Sequence, residues 1–243
     1  MPSTPSWPLM GAVLLAVGLG PALAAEVDPV VQRAFDRADA AAADFAPYRF
    51  HLETHTRLSN GDEQLEHEER AWADAIQWSP DSTEILTEGK ELVFSKDEDG
   101  KDADEEKDAE AKDDKEDHRL DVSYDFFEAG RRDEYRFVAQ GRETREGREF
   151  AVLELRPRVK KKGLWKGRLW LDPATGALCH AELEPAKGRF GVKRWRVDAA
   201  LEDYRGLDLP RQVDMDLEIK VPLLVHEKIR VALSMSEIGA ATD

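Results

Sequence analysis

Residues 212–221 read QVDMDLEIKV, a stretch in which apolar and polar side chains alternate without a break. Its apolar members are Val213, Met215, Leu217, Ile219 and Val221. A repeat of two residues places these side chains on one face of a β-strand, because successive residues of a strand point to opposite sides. The stretch therefore predicts a strand with one face in an apolar core and the other in water.

The same repeat continues through most of the chain after Pro47. Turn-forming sequences such as Asp172–Gly176 separate the successive runs. The candidate strands lie at about 46–57, 65–78, 83–87, 90–95, 119–127, 134–140, 149–156, 164–171, 177–184, 192–203, 211–221 and 225–237. Open sheets rarely contain more than about ten strands. We therefore expect a curved antiparallel sheet that forms a half-barrel or open barrel.

One helix is predicted before the first strand. Asp28 is suited to the N-cap, Pro29 to the first helical position, and an alanine-rich run continues to Ala43. The apolar positions that recur at helical spacing are Val31, Phe35, Ala38 and Ala42. A helix with such a stripe packs on a flat apolar surface. The predicted fold class is therefore mainly β with one N-terminal helix (α+β).

The first residues are typical of a cleavable secretory leader. Residues 8–23 are apolar and uncharged, and Ala22-Leu23-Ala24 has the small residues that signal peptidase recognises. The run is shorter than the roughly 20 apolar residues that a membrane-spanning helix needs, and it contains Gly and Pro. We therefore predict a signal peptide at 1–24, a single domain at 25–243 and a periplasmic location.

Much of the negative charge is concentrated in one segment. The chain has a formal net charge of −16, and residues 97–117 hold 13 acidic residues and 4 lysines, a net of −9. The segment lacks aromatic and branched aliphatic residues, so it has little apolar area to bury against the entropic cost of ordering. We predict a disordered acidic insertion in a loop between two strands.

No catalytic or metal-binding motif stands out. The single cysteine, Cys179, excludes an intramolecular disulfide, and its neighbours indicate a small buried side chain. His51, Glu53 and His55 share one face of the first strand, but ligands along one strand diverge unless a neighbouring strand supplies partners. We expect no enzymatic activity, no cofactor and no metal site; a third ligand converging with these histidines would instead favour a hydrolase.

A basic stretch interleaved with tryptophans stands out against the acidic background. Its members are Arg156, Arg158, Lys160, Lys161, Lys162, Lys166 and Arg168. Tryptophan prefers the level of lipid headgroups and cations attract phosphates, so one interpretation is a patch for a headgroup or an acidic partner. The other is a set of edge-strand residues that discourage aggregation. The leader and the total charge argue against nucleic acid.

The apolar faces of the strands either fill the interior of the curved sheet or line a cavity for an apolar ligand. The residues that we predict to contact such a ligand are Tyr48, Phe50, Leu52, Trp195, Val197, Val213, Met215, Leu217 and Ile219.

Three segments of the chain carry a family resemblance. They are DFAPYRF at 44–50, the hairpin GRLWLDPATGAL at 167–178, and DYRGLDLP at 203–210 before a long strand. Together they resemble the LolA-like superfamily of outer-membrane lipoprotein-sorting and lipoprotein-carrier proteins, over most of the chain after residue 24. The resemblance implies a curved antiparallel sheet around helices, with an apolar cavity that receives acyl chains or a hydrophobic partner segment. This sequence differs from a typical carrier of the superfamily in its long acidic segment and in having a single clearly predicted helix.

These features lead to one leading hypothesis and one alternative. We predict a non-enzymatic periplasmic protein of the lipoprotein-sorting type that binds a lipid or a lipidated protein in the concavity of a half-barrel. The alternative is a periplasmic protein-interaction or envelope-stress sensing module whose barrel interior is filled. An envelope protein and the membrane surface are the other partners considered. A large void lined by the face of residues 213–221 would favour the lipid.

Overall fold

The computed structural model describes residues 28–80, 82–96, 125–222 and 224–241. The helix α1 comprises Pro29–Ala43, and the strands are β1 Tyr48–Asn60, β2 Leu65–Ser79, β3 Ser82–Ser95, β4 Tyr135–Arg145, β5 Arg148–Pro157, β6 Trp165–Leu171, β7 Leu178–Pro185, β8 Val192–Tyr204, β9 Leu207–Val221 and β10 Val225–Ala240. Two short 3₁₀ helices lie at Asp125–Phe127 and Arg132–Glu134. The predicted signal peptide and acidic insertion lie outside the described residues.

The strands form one ten-stranded antiparallel sheet with the order β3-β2-β1-β10-β9-β8-β7-β6-β5-β4. Most neighbours along the chain pair as hairpins, and β1 also pairs with β10, which brings the first and last strands together inside the sheet. Among the described residues β3 and β4 are the two edges, so the curved sheet stays open there. The predicted fold class, mainly antiparallel β with one N-terminal helix and a curved open sheet, is confirmed.

The two runs predicted at 83–87 and 90–95 form the single strand β3. Gly89 continues the strand between them, opposite Trp72 of β2. A Cβ atom at this glycine would lie 2.2 Å from the Trp72 ring. Any larger residue at this position would therefore clash with the tryptophan that packs over it. The pattern predicts two short strands because a glycine inside a run also marks a turn.

Phe126 and Phe127, which the alternation placed in a strand, lie instead in the first 3₁₀ helix. Both side chains are buried. The Phe127 ring stacks on Phe137 of β4 with 5.2 Å between centroids, and it lies 6.2 Å from Phe35 of α1. Packing between the helix and β4 therefore decides the local conformation here.

One row of side chains crosses all ten strands on the face that carries α1, which we call the inner face. From β4 to β3 the row is Ala139, Leu153, Leu169, Ala181, Ala199, Val213, Leu233, Thr54, Ala71 and Lys90. Its members are buried from β5 to β9, half-buried on β10, β1 and β2, and exposed on β3. Burial along this row therefore decreases from β10 onward, although Leu233 of β10 still packs against the edge of the core.

The dimensions of the elements explain why the cover is partial. The 15 residues of α1 make a helix about 22 Å long. Ten strands at a spacing of about 4.8 Å make a sheet about 43 Å wide. The core accordingly joins Val30, Val31 and Ala34 of α1 to side chains from β4 to β9. Within the described residues, one helix covers about half of the sheet.

Polar contacts fix α1 to the sheet. The Asp28 carboxylate accepts a hydrogen bond from the Val30 N–H at 2.8 Å, which confirms the predicted N-cap. Arg37 forms ion pairs with Asp203 at 2.8 Å and with Asp208 at 3.0 Å, at the turn between β8 and β9. The helix is therefore anchored to the segment DYRGLDLP, whose two aspartates its arginine contacts.

The turn between β6 and β7 is held by Asp172. Its carboxylate accepts hydrogen bonds from the N–H groups of Ala174 at 2.8 Å and Thr175 at 3.0 Å. Arg148 of β5 donates to its other oxygen at 2.7 Å. This guanidinium is the main reason that the pKa of Asp172 falls to about 2.

Acid should destabilise the protein in part through Asp172. The pKa is about 2 in the folded chain and about 3.9 in an unfolded chain. The carboxylate therefore stabilises the fold above about pH 4, and this contribution is lost as the pH falls toward about 2. Asp172→Asn should have a lower free energy of unfolding than wild type in urea at neutral pH, and the difference should shrink near about pH 2.

Asp62→Asn, in the exposed turn after β1, is the matched control. Its pH dependence is the reference against which that of Asp172→Asn is compared. An identical pH dependence in both variants would contradict the role assigned to Asp172.

Candidate ligand-binding face

The uncovered part of the inner face is the strongest candidate for a ligand site. It is formed by β1, β2 and β3, next to β10, and it contains a depression of about 450 Å³ that we call the inner groove. The lining residues are Leu52, Thr54, Ala71, Trp72, Ala73, Glu88, Gly89 and Lys90. Ligand pockets in proteins commonly have volumes of about 300–1,000 Å³ and mostly apolar walls.

Small side chains make the floor of the inner groove. Ala71 and Ala73 of β2 lie opposite Thr54 and Leu52 of β1. The Thr54 hydroxyl donates to the Ala71 carbonyl oxygen at 3.4 Å, so its polar group is engaged within the sheet. The floor therefore presents mainly methyl groups and the Leu52 side chain to a ligand.

Charged side chains stand at the rim of the inner groove. Glu88 and Lys90 of β3 lie opposite Ala73 and Ala71. The Lys90 amino group is 3.7 Å from a Glu69 oxygen, and its side chain is 75% exposed. Exposed ion pairs contribute less than about 1 kcal/mol, so Lys90 can turn to another anion at little cost. An apolar floor beside a mobile cation suits an amphiphile with an anionic head.

Five of the nine residues predicted to contact a ligand lie at or beside the uncovered face. Leu52 lines the inner groove. Phe50 is half-buried on the same face of β1, and its ring lies 5.9 Å from that of buried Tyr48. Leu217 and Ile219 of β9 are half-buried next to β10. A ligand that extends from the groove toward β9 would meet these side chains.

The other four predicted residues contact the protein core. They are Trp195, Val197, Val213 and Met215. Val197 is fully buried, and Val213 and Met215 are nearly so. These side chains pack in the part of the sheet that α1 covers, so their contact with a ligand stays a prediction.

Sequence reasoning missed the alanines of β2 and the rim residue Lys90. Ala71, Ala73 and Ala75 recur every second residue, which is the available signal for a strand face of small side chains. Alanine alone does not distinguish a packed face from an open one. The pairing of β2 with β1 and the end of the α1 cover make this face a groove.

The predicted basic patch lies on the opposite face of the sheet, which we call the outer face, and in the loop after β5. All seven cations are exposed. In the part of the chain that the structure describes, ion pairs join Arg156 to Glu154, Lys161 to Glu134, Lys166 to Glu184 and Arg168 to Glu182. A second depression of about 920 Å³ runs between these charges. The patch and the inner groove face opposite sides of the sheet, so they would serve different ligands.

His51 and His55 are each paired with a carboxylate of β2. The Nδ1 atom of His51 is 2.7 Å from Asp74, and Nε2 of His55 is 2.5 Å from Glu68. The hydrogen bond to Asp74 raises the pKa of His51. Because each imidazole faces a different carboxylate, the structure places them in two separate pairs.

Two further reactive side chains are neighbours on β7. Burial raises the pKa of the Cys179 thiol, so the thiol is protonated at neutral pH. Burial also lowers the pKa of His180, so its imidazole is neutral at pH 7. The His180 ring lies edge-on to Trp170, with 4.9 Å between ring centroids. Cys179 is half-buried, whereas its neighbours in the sequence predict a buried side chain.

Among the residues that the structure describes, no helix has the length and the apolar character that crossing a bilayer requires.

Comparisons with known proteins give similarity at the level of solved structures. No protein-family model matches the chain, and no curated protein matches it. A LolA superfamily protein from Nitrosomonas europaea is 12% identical with a TM-score of 0.37, over 86% of this chain and 93% of that one. A domain described as a putative outer membrane lipoprotein-sorting protein, from Vibrio parahaemolyticus, is 16% identical with a TM-score of 0.41, over 87% and 92%.

The MucA/MucB complex of Pseudomonas aeruginosa also matches. Its identity is 9% and its TM-score 0.24, over 88% of this chain and 99% of that one. The first of these similar structures is described as a member of the LolA superfamily, which residues 44–50, 167–178 and 203–210 resemble.

Proposed function

We propose that this chain is a non-enzymatic periplasmic protein that binds an acyl chain of a lipid or of a lipidated protein in the inner groove. The observation that carries the proposal is the row of side chains across the inner face, which loses its cover at β10 while its floor remains largely apolar as far as Ala71. The periplasmic location rests on the secretory leader predicted at residues 1–24.

Burial of methylene groups supplies the binding free energy. Eight methylenes at about 0.8 kcal/mol each would contribute about 6 kcal/mol. Association costs part of this gain, and a whole myristoyl chain reaches only about 10⁴ M⁻¹ on a membrane, so we expect a dissociation constant of about 100 µM or weaker for partial insertion. Partial insertion of one chain is therefore sufficient for measurable binding, and no catalytic group is required.

The position of the charges sets the orientation of the ligand. Lys90 stands at the rim of the inner groove and is exposed, so it is the cation that an anionic headgroup would meet. The basic patch lies on the outer face, where its arginines and lysines alternate with glutamates. We therefore assign the headgroup contact to Lys90. The basic patch would contact a separate partner or solvent.

Filling the inner groove should abolish binding. Ala71→Trp places a large apolar side chain on the floor, so a fluorescent fatty acid titrated into the delipidated protein should bind at least about tenfold more weakly than to wild type. The matched control is Ala232→Trp, which adds the same side chain on the outer face, opposite His55. It should bind within about twofold of wild type.

Two outcomes would contradict the proposal. One is a wild-type protein that shows no saturable signal and releases no lipid in native mass spectrometry. The other is equal binding by Ala71→Trp and Ala232→Trp. Circular dichroism of both variants checks that the sheet is intact.

A second candidate function is the capture of an extended protein segment along β3. This edge strand of 14 residues exposes apolar side chains. They are Ile85, Leu86, Leu92, Val93 and Phe94. A free edge pairs readily with a strand from another chain. An envelope protein that co-purifies without lipid, and is lost after Val93→Pro, would favour this function over lipid binding.

A further inference from the structure

Three side chains with metal-binding atoms meet on the outer face, away from the inner groove. His180 and Glu182 are two residues apart on β7, and Asp198 of β8 pairs directly with Glu182. Nε2 of His180 is 3.6 Å from an Asp198 oxygen and 4.0 Å from a Glu182 oxygen. One ligand atom from each residue lies within 4.8 Å of the others.

The charges around this cluster are unbalanced. Along the row that contains it, Glu182 faces Asp198, and Asp198 faces Asp214 of β9. Like charges directly opposite each other on a sheet are unfavourable. Elsewhere on the outer face opposite charges face each other, as Arg196 and Asp216 do. Across the described ranges of the chain, Asp198 has no arginine or lysine partner, so three adjacent carboxylates lack full compensation.

The two arginines nearest the cluster are already engaged. Arg168 donates to one oxygen of Glu182 at 2.7 Å, and Arg145 donates to Glu143 at 2.7 Å. Arg145 is 3.9 Å from the other Glu182 oxygen. Arg168 therefore orients the Glu182 carboxylate and leaves its second oxygen for another cation, as outer partners of metal ligands commonly do.

We propose that His180, Glu182 and Asp198 bind one divalent ion of the zinc type, which bridges β7 and β8. Imidazole nitrogen and carboxylate oxygen are both ligand atoms that Zn²⁺ accepts in proteins. Ligand atoms of a tetrahedral site with bonds of about 2.1 Å lie about 3.4 Å apart. The His180 nitrogen is 3.6 and 4.0 Å from the two carboxylates, and the three ligand atoms lie within 4.8 Å of one another, so rotation of the carboxylate side chains would close the site. Contact with Trp170 limits rotation of the imidazole.

An ion can reach this position from solvent. The side chains of His180, Glu182 and Asp198 are 21%, 32% and 47% exposed. Glu182 also lines the depression of about 920 Å³ on the outer face. The protein thus supplies three ligands and leaves the fourth position to water.

Titration with Zn²⁺ tests the site on tag-free mature protein. We expect one ion per chain in isothermal titration calorimetry at pH 7.5, and a higher midpoint of thermal unfolding when Zn²⁺ is present. Asp198→Asn should bind at least about tenfold more weakly. The same substitution removes a charge repulsion, so without zinc its thermal midpoint should equal or exceed that of wild type.

The matched control is Asp216→Asn, which also removes an outer-face carboxylate, one that pairs with Arg196 and Arg230. It should keep wild-type affinity for Zn²⁺. The acidic residues 97–117 could also bind Zn²⁺ through their carboxylates. Weaker zinc binding by Asp198→Asn than by Asp216→Asn would therefore locate the site at Asp198. Equal affinity of the two variants, or no zinc binding tighter than about 100 µM by wild type, would overturn the proposal.

Discussion

Replacing Gly176 by alanine is expected to lower the free energy of unfolding by about 3 kcal/mol or more. Gly176 has φ +75°, which costs an alanine about 1 kcal/mol or more. In addition, the new Cβ atom would lie 2.6 Å from the backbone nitrogen of Ala34 and 2.7 Å from the carbonyl carbon of Arg33. These are main-chain atoms of α1, so the clash can be relieved only by moving the helix off the sheet.

Gly147→Ala separates the two causes. Gly147 has a similar φ of +80°, but a Cβ atom added there would meet no other atom within 4 Å. This variant should lose only about 1 kcal/mol. Urea denaturation of both variants measures the difference. An equal loss of the free energy of unfolding in Gly176→Ala and Gly147→Ala would contradict the close contact between α1 and this turn.

Truncation of Leu183 should cost about 3 kcal/mol. This side chain of β7 is fully buried in the core to which α1 contributes. Removing its isobutyl carbons leaves a cavity that the surrounding core can fill only partly, and the lost contacts add to the lost transfer free energy. The free energy of unfolding of Leu183→Ala, measured in urea, should fall by this amount.

Leu92→Ala makes the same truncation on the uncovered side of the sheet. Leu92 lies on β3 and is 58% exposed. The loss should be about 0.5 kcal/mol. Similar losses at the two positions would contradict the division of the sheet into a packed half and an open half. The contrast thus tests the feature on which the proposed lipid site depends.

Elements that are formed by interactions between residues close in sequence are predictable from the sequence, and those that depend on distant contacts are not. Asp28 and Pro29 predict the helix because an N-cap and a first-turn proline act within one turn of the chain. Alternation predicts the strands because burial on one face imposes a repeat of two. Phe126 and Phe127 are misplaced by the same repeat because their conformation depends on contacts with α1 and β4, distant in sequence.

The candidate site is only partly predictable for the same reason. Leu52 is identified because it belongs to a clear apolar face. Val197 and Met215 belong to equally clear apolar faces, yet they pack in the core. An apolar repeat indicates that a face avoids water, and it carries no information about whether a helix or a ligand provides the cover.

The sequence by itself determined a strand-rich chain with one capped N-terminal helix, since hydrophobic periodicity and capping residues act locally. Only the tertiary structure decided where the sheet is covered, because a helix of 15 residues is about half as long as ten strands are wide. The same applies to the cluster of His180, Glu182 and Asp198, which forms through the pairing of β7 with β8. The register of β7 against β8, which burial of Ala181, Leu183, Val197 and Ala199 on the inner face fixes, brings these ligands together.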